Sequence, residues 1–456
     1  MDEQEGERRG RKNDRVDQIA DAGRDRSSGG KYRHMLLLSW INRDGKLVLL
    51  TNGIRSFAYG FVSIILLIYL NLVGFSLLQT GIIVSLILVS GLVTTILSSI
   101  YADRVGRRRF LFIVGVMMAI TGLIYALTTN PILLILGALT GTLSPTGSDI
   151  TTFLPLEQAM LPQSSSQERR NALYAVYNTT GQLTQSGGIL LSAMPVFFEG
   201  YFHLSQVDSY RPLFAVYSAL AFVLAVLYLS ISSRMELQTP AIRLDEKENK
   251  ESAIDRATRG ATKLSRESKM LIAKFSAIIG VDALAGGFVI QTIISFWFYK
   301  NYNVPLQYLS LIFFVTGVLS SFSILLAGWL ADRIGAINTM VFTHLPANLF
   351  LMAIPLAPNL FGALAFFFAR SMITTMDVPA RQAYTVSVVK PHERTAAAGM
   401  TSISRNSART VSPSLSTYAL QFVSQALPFF IAGSIYICTD LTLFFVFRNV
   451  KEMREE

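Results

Sequence analysis

Apolar residues in this chain arrive in long blocks, and the blocks are too long for a soluble helix. Twelve of them recur, over about 47–71, 77–101, 109–129, 131–160, 171–198 and 210–233, then 270–299, 305–330, 338–357, 359–387, 396–424 and 426–447. A helix needs about 20 apolar residues to cross the hydrocarbon core of a bilayer. The pattern therefore predicts an all-α membrane protein with twelve transmembrane helices. Six lie on each side of a charged stretch, which divides the chain into a six-helix bundle over 46–233, a linker over 234–269 and a second six-helix bundle over 270–448. Residues 1–45 and 449–456 are left as tails.

Composition agrees. Hydrophobic residues make up 51% of the chain and charged residues 15%, with a mean hydropathy of +0.43, which leaves too little polar surface to coat a soluble globule. The net charge of +10 is unevenly spread. Basic residues crowd the N-terminal tail, the loops at Arg104 to Arg109, Arg169 to Arg170 and Lys390 to Arg394, the linker and the C-terminal tail, while 72–76 and 199–209 have none. Lys and Arg near helix ends are retained on the cytoplasmic side. A multi-pass protein of the cell membrane with both termini in the cytoplasm is expected. The positive charge then reads as topology and attraction to lipid headgroups, with no nucleic-acid partner. The tail over 1–34 is expected to be disordered and 35–41 to lie in the interface. No secretory leader is expected, because the first apolar run begins only at Met35. The linker reads as a tether, and the protein as a monomer.

The two halves repeat one another. Gly53-Ile54-Arg55 with Gly60-Phe61-Val62 returns as Gly280-Val281-Asp282 with Gly287-Phe288-Val289, an offset of 227 positions from Arg55 to Asp282. Internal repeats in a hydrophobic chain mark transporters whose binding site lies near the bilayer midplane, between the halves. A second repeat pairs Asp103-Arg104-Val105-Gly106-Arg107 with Asp332-Arg333-Ile334-Gly335-Ala336. A third pairs Thr151-Thr152 and Pro155-Leu156-Glu157-Gln158-Ala159 with Thr374-Thr375 and Pro379-Ala380-Arg381-Gln382-Ala383.

The second of these repeats resembles the loop between helices 2 and 3 of the major facilitator superfamily, and its weaker copy in the second half. Ser99 and Tyr101 depart from the family pattern, and the second copy lacks the basic pair. The resemblance implies two pseudo-symmetric six-helix bundles working by alternating access, with helices 1 and 7 lining the central cavity. It also implies a cytoplasmic gate at Asp103, Arg104, Gly106, Arg107, Asp332, Arg333 and Gly335. Physically, Gly106 allows the tight reversal, and Asp103 can meet a basic residue or a helix N-terminus. Glu157 and Arg381 occupy equivalent places and either join this gate or form salt bridges within one half. The helix 5 signature of the family's drug and proton antiporters survives only as Gly187-Gly188.

Charges deeper in the bilayer carry the candidate chemistry, since an ionisable side chain near the centre costs at least about 2.5 kcal/mol and must face a cavity or a partner. Arg55 and Asp282 can pair across the axis. Arg370, Arg405 and Arg409 make the second half basic, and converging guanidinium groups bind carboxylates or phosphates bidentately. These five are the candidate substrate-binding residues, unless Asp149 and Asp377 already neutralise the arginines. Asp282 and Asp149 are the candidate proton-coupling carboxylates, because burial can raise a carboxyl pKa into the physiological range. Tyr59, Tyr174, Tyr177, Phe288, Phe296 and Trp297 are candidates for lining the route.

The single cysteine and four scattered histidines offer no metal-ligand spacing. The chain has no phosphate loop and no nucleophile elbow, so neither an enzyme nor a cofactor is expected. The expectation is a secondary transporter moving a small organic solute, with an anion among the candidates, coupled to protons and with export preferred over import. Uptake of a nutrient anion is the alternative, and a non-transporting membrane sensor or scaffold is the alternative of another class.

Overall fold

The computed structural model describes residues 40–147, 152–165, 169–232, 235, 266–378, 380, 381, 384 and 394–447. Its helices are α1 Arg43–Val73, α2 Leu77–Val105, α3 Arg107–Leu127, α4 Pro131–Ala138, α5 Phe153–Met160, α6 Arg170–Leu191, α7 Met194–Phe202 and α8 Arg211–Leu229 in the first half. The second half has α9 Arg266–Phe288, α10 Gln291–Tyr302, α11 Leu306–Ile334, α12 Ala336–Ala353, α13 Leu360–Ile373, α14 Arg394–Arg409, α15 Ser412–Phe422 and α16 Leu427–Phe447. No strand occurs among the described residues.

Among the described residues, eight segments are long and apolar enough to cross a membrane, and they match the first, second, third, sixth, seventh, eighth, ninth and twelfth blocks of the sequence. The other four blocks are broken or polar. The fourth is interrupted between α4 and α5, the tenth ends α13 at Ile373, and the eleventh breaks between α14 and α15. The fifth is continuous but carries Asn178, Thr179, Thr180, Gln182, Thr184 and Gln185. Irregular backbone at membrane depth is tolerated only where protein or a cavity surrounds it. These blocks therefore face inward.

Helix α1 shows the same rule from the opposite side. Every residue from Ala58 to Leu70 is buried, as expected for a helix apolar on all faces and enclosed by others. Helix α8 is one-sided. Leu213, Phe214, Tyr217, Ala221, Leu224, Ala225 and Tyr228 follow a helical period and are buried, while Phe222, Val223 and Val226 between them are exposed. In a membrane that exposed face meets lipid.

The two halves meet through hydrogen bonds on the side remote from where α1 begins and α16 ends. Thr292 Oγ1 accepts from the Leu67 amide at 3.2 Å, and Ser295 Oγ donates to the Ile64 carbonyl at 3.2 Å. Ser192 and Ser310 share a bond of 2.8 Å, and Ser414 Oγ bonds Ser85 Oγ at 2.7 Å. Near mid-depth, the Thr292 amide donates to the Pro145 carbonyl at 3.2 Å. That carbonyl lies in the gap between α4 and α5, and the amide is one of the first-turn donors of α10 that no helix bond can satisfy. Each break supplies what the other lacks.

The repeated loops also fold alike. Gly106 (φ 97°) and Gly335 (φ 84°) each end one helix and begin the next. Each donates its amide at 2.9 Å four residues back, to Ala102 and Ala331. A side chain at either position would be strained.

Close packing within the first half depends on Gly188 of α6, where a Cβ would land on the Phe57 carbonyl of α1. Small residues let membrane helices approach in this way. Gly188→Leu is expected to cost about 1–3 kcal/mol by overpacking, read as a lower thermal midpoint and a smaller monodisperse fraction in detergent. Gly187, which has open space around it, is expected to tolerate the same change.

Candidate functional site

Arg55 has no exposed surface. Its Nη2 donates to Glu157 Oε2 at 2.8 Å and to Asn52 Oδ1 at 3.2 Å, and its Nη1 donates to the Tyr228 hydroxyl at 3.0 Å. Glu157, equally buried, also accepts from the hydroxyls of Tyr177 and Tyr228, both at 2.6 Å, and from Thr51 Oγ1 at 2.8 Å. The guanidinium sits 4.9 Å from the Phe153 ring centre. Helices α1, α5, α6 and α8 thus converge on one ion pair whose carboxylate is saturated with donors. Such a pair holds a bundle together only while both partners remain.

The second half holds the counterpart with its charges exchanged. Asp282 takes the place of Arg55, Arg381 takes the place of Glu157, and the two lie 3.8 Å apart. Arg381 is drawn more closely to Asp377, four residues earlier, at 2.6 Å. Both are partly open, with side-chain exposures of 13% for Asp282 and 7% for Arg381, against 0% for both members of the first pair. The expected bridge from Arg55 to Asp282 across the axis is replaced by a pair inside each half, because each charge finds its opposite one helix away in its own bundle.

Between the halves lies a cavity of about 330 Å³. The first half contributes Thr146, Gln182, Gln185 and Ile189. The second half contributes Gln291, Phe313, Thr316, Ser320, Phe367, Arg370, Ser371, Thr374, Thr375, Arg409 and Tyr436, along with the backbone at Gly286 and Gly317. No carboxylate lines it among the described residues. Neither Arg370 nor Arg409 has an acidic partner within ion-pair distance there, and Arg370 Nε, Arg409 Nε and Gln291 Nε2 are buried without a hydrogen-bond acceptor. Buried donors are normally satisfied. Three that are not belong to residues lining one space, where acceptor atoms could meet them.

Of the candidate binding residues, the cavity gathers Arg370 and Arg409. Arg55 and Asp282 lie in the ion pairs described above, and Arg405 is not among the lining residues. The aromatic lining differs from expectation as well. Tyr177 bonds Glu157, Tyr174 donates to the Gln158 carbonyl at 2.9 Å, and Trp297 Nε1 donates to the Gln425 carbonyl at 2.9 Å. Tyr59, Phe288 and Phe296 are buried in the core. The aromatic rings on the cavity belong instead to Phe313, Phe367 and Tyr436.

Asp149 lies outside the described residues. Asp103, Arg104 and Asp332 have helical backbone at the ends of α2 and α11. Arg107 donates to the Ala159 carbonyl at 3.4 Å, and Arg333 stacks on the Trp329 ring at 4.1 Å. The glutamines at 182, 185 and 291 escaped the sequence reading. The available signal was the polarity of the fifth block and the position of Gln291 at the break in the seventh.

Two enclosing bundles around a central polar cavity are the architecture of a membrane transporter. The Major Facilitator Superfamily model matches residues 48–413 and 276–456. The chain belongs to that superfamily. It is 27% identical over 425 residues to the uncharacterized membrane protein YJR124C of Saccharomyces cerevisiae, covering 90% of this chain and 95% of that one. Its fold is similar to the crystal structure of the nucleoside transporter NupG (TM-score 0.66, 14% identity, 89% of this chain and 100% of that one). It is also similar to that of a D-xylose-proton symporter (TM-score 0.64, 15% identity, 90% and 98%).

Glu157→Gln leaves Arg55 buried without its counter-charge and is expected to cost about 3–5 kcal/mol, seen as a large drop in the thermal midpoint of purified protein. Replacing both, as Arg55→Met with Glu157→Leu, is expected to recover most of that loss. Equal destabilisation by the single and double changes would mean that the charge pairing is not what matters there.

Proposed function

We propose that this chain is a secondary transporter of a small organic anion, bound between Arg370 and Arg409 and moved by alternating access. The observation that supports this reading is the set of unsatisfied donors in a cavity with no acid among its described lining residues. Planar guanidinium groups match carboxylate or phosphate oxygens two at a time, and Gln291 adds a neutral donor at the break between α9 and α10. Phe313 and Phe367 offer apolar surface for the organic part of the solute. The binding role assigned to Arg55 from the sequence passes to the holding of helices, and that of Arg405 to reinforcing the positive field behind Arg409.

Positive charge near the helix ends favours cytoplasmic termini in the cell membrane. Among the described residues the hydrogen bonds between halves lie on the opposite side, which supports a state open toward the cytoplasm. An exporter loads its cargo in that posture. Asp103, Gly106, Arg107, Asp332, Arg333 and Gly335 are then placed to close it, as a gate that forms in the opposite state. Proton coupling belongs to the second half, where the Asp282–Arg381 pair is looser and wetter than its counterpart and so easier to break within a cycle.

Arg370→Ala and Arg409→Ala are each expected to weaken benzoate or sulfate binding by about tenfold to a hundredfold, the worth of a charge-assisted bond. Arg405→Ala is expected to have a smaller effect. Calorimetry on detergent-purified protein measures this, and unaltered affinities in both of the first two variants would discard the anion. In proteoliposomes, Asp282→Asn is expected to abolish accumulation driven by a pH gradient while anion exchange persists. Full accumulation in that variant would remove Asp282 from coupling, and the gradient orientation that drives accumulation reads the direction of transport.

A further inference from the structure

The cavity wall asks for more than an anion. Arg370, Arg409 and Gln291 bring donors to it, but four hydroxyl residues of the second half have the opposite character. Thr316 Oγ1 donates to the Phe313 carbonyl and Ser371 Oγ to the Phe367 carbonyl, both at 2.8 Å. Ser320 Oγ donates to the Ser371 carbonyl at 3.3 Å, and Thr375 Oγ1 to the Ser320 carbonyl at 3.1 Å. A hydroxyl has one hydrogen and two lone pairs. With each hydrogen given to the backbone, these four lining residues have only acceptor capacity left for a solute.

These acceptors belong to the same part of the wall as the arginines. Thr316 and Ser320 share a face of α11, and the bonds from Ser320 and Thr375 tie that face to the segment that begins at Arg370 and Ser371. A solute with acceptor atoms alone would satisfy the guanidinium groups and leave the hydroxyl oxygens without donors. An ammonium group would supply donors, but the acids of this half are engaged elsewhere. Behind Tyr436, whose ring meets that of His344 edge-on with centres 4.9 Å apart, Asp440 Oδ1 lies 3.0 Å from His344 Nδ1 and Asp440 Oδ2 accepts from the Asn348 amide at 3.0 Å. Carboxylate oxygens of Asp282 and Asp440 and a ring nitrogen of His344 lie within 4.8 Å of one another, and Asp282 and Asp377 share Arg381. No carboxylate among the described lining residues is left to meet an ammonium, and two arginines would repel it. Hydroxyl groups bring the missing hydrogens without charge.

We infer that the solute is a hydroxylated organic acid, with a hydroxyl group within a few bonds of its anionic group. The acid group meets Arg370 and Arg409, and the neighbouring hydroxyl donates to the side-chain oxygens of Thr316, Ser320, Ser371 or Thr375. This rests on the anion reading above and narrows it. Gln182 and Gln185, the neutral amides contributed by the first half, each offer a donor and an acceptor side by side and extend the same recognition to further hydroxyl groups. A cavity of about 330 Å³ lies at the low end of the range of about 300–1,000 Å³ for small-molecule sites, which suits one small acid rather than a peptide or a lipid. Such a site discriminates against the analogue that lacks the hydroxyl, because its own polar groups are then left unpaired.

Phenylacetate, mandelate and phenylglycine share a ring and a carboxylate and differ at one carbon, which carries hydrogen, hydroxyl or, near neutral pH, ammonium. Calorimetry of the full-length protein in detergent compares them. Mandelate is expected to bind about 2- to 13-fold more tightly than phenylacetate, the worth of one neutral hydrogen bond. Phenylglycine is expected to bind at least about tenfold more weakly than phenylacetate, since like charges brought together cost several kcal/mol. Two paired variants remove the acceptors with little change of shape, Thr316→Val with Ser320→Ala on α11 and Ser371→Ala with Thr375→Val around the end of α13. At least one of them is expected to abolish the preference for mandelate while phenylacetate and sulfate bind as before. If a pair does not fold, its two single substitutions carry the same comparison. Equal affinity for mandelate and phenylacetate, a preference that survives in every variant, or phenylglycine bound as tightly as mandelate overturns the inference while leaving the anion site standing. Absence of binding by phenylacetate, benzoate and sulfate alike overturns the anion reading itself.

Discussion

A guanidinium inside a membrane protein must find a carboxylate, a set of acceptors or a ligand, and this structure uses that requirement in two opposite ways. Arg55 meets Glu157, and the hydroxyls of Thr51, Tyr177 and Tyr228 also donate to that carboxylate. The pair fixes four helices of the first half. Arg370 and Arg409 are left unpaired among the described residues and face the cavity. In a low-dielectric interior such groups gain most from an anion that brings its own acceptors. Pairing thus separates the charges that hold the bundle from those that, on the proposed function, meet the solute.

The same division separates the two halves. Exchanging the charges at the equivalent positions Arg55 and Asp282, Glu157 and Arg381, preserves an attraction in each bundle while changing its quality. In the first half the pair is closed and short. In the second, Arg381 is shared between Asp377 and Asp282, and the histidine, the third aspartate and the free arginines all lie close by. On the proposed function, one bundle serves as a fixed wall and the other as the part whose protonation and ligand state change. The broken spans fit this division, since the fourth, tenth and eleventh blocks give up helical bonds where they enclose the cavity, and the Pro145 carbonyl and Thr292 amide satisfy each other between halves.

Much of this was legible in the chain. Block length located the spans, and the repeat located Arg55, Asp282, Glu157 and Arg381 as equivalent positions. The glycine of the repeated loop announced the reversal that both copies make at Gly106 and Gly335. The partners were not legible. Arg55 was matched with its symmetry mate because a repeat relates positions across halves, whereas contact is decided by which helices pack, and α1 packs against α5, α6 and α8. The breaks were hidden for a related reason, because Thr, Ser and Gly within an apolar run read equally well as helix. His344 carried no spacing signal, since its companions Asp440 and Asp282 lie far away in sequence and meet it only through the folding of three helices.

The central claim is that an anion sits between Arg370 and Arg409. A structure of the protein determined by cryo-electron microscopy with benzoate tests it directly. The account predicts density for the carboxylate within hydrogen-bond distance of both guanidinium groups, with Gln291 turned toward it. Density elsewhere in the molecule, or both arginines found paired to acidic side chains with the cavity free of benzoate, would contradict it.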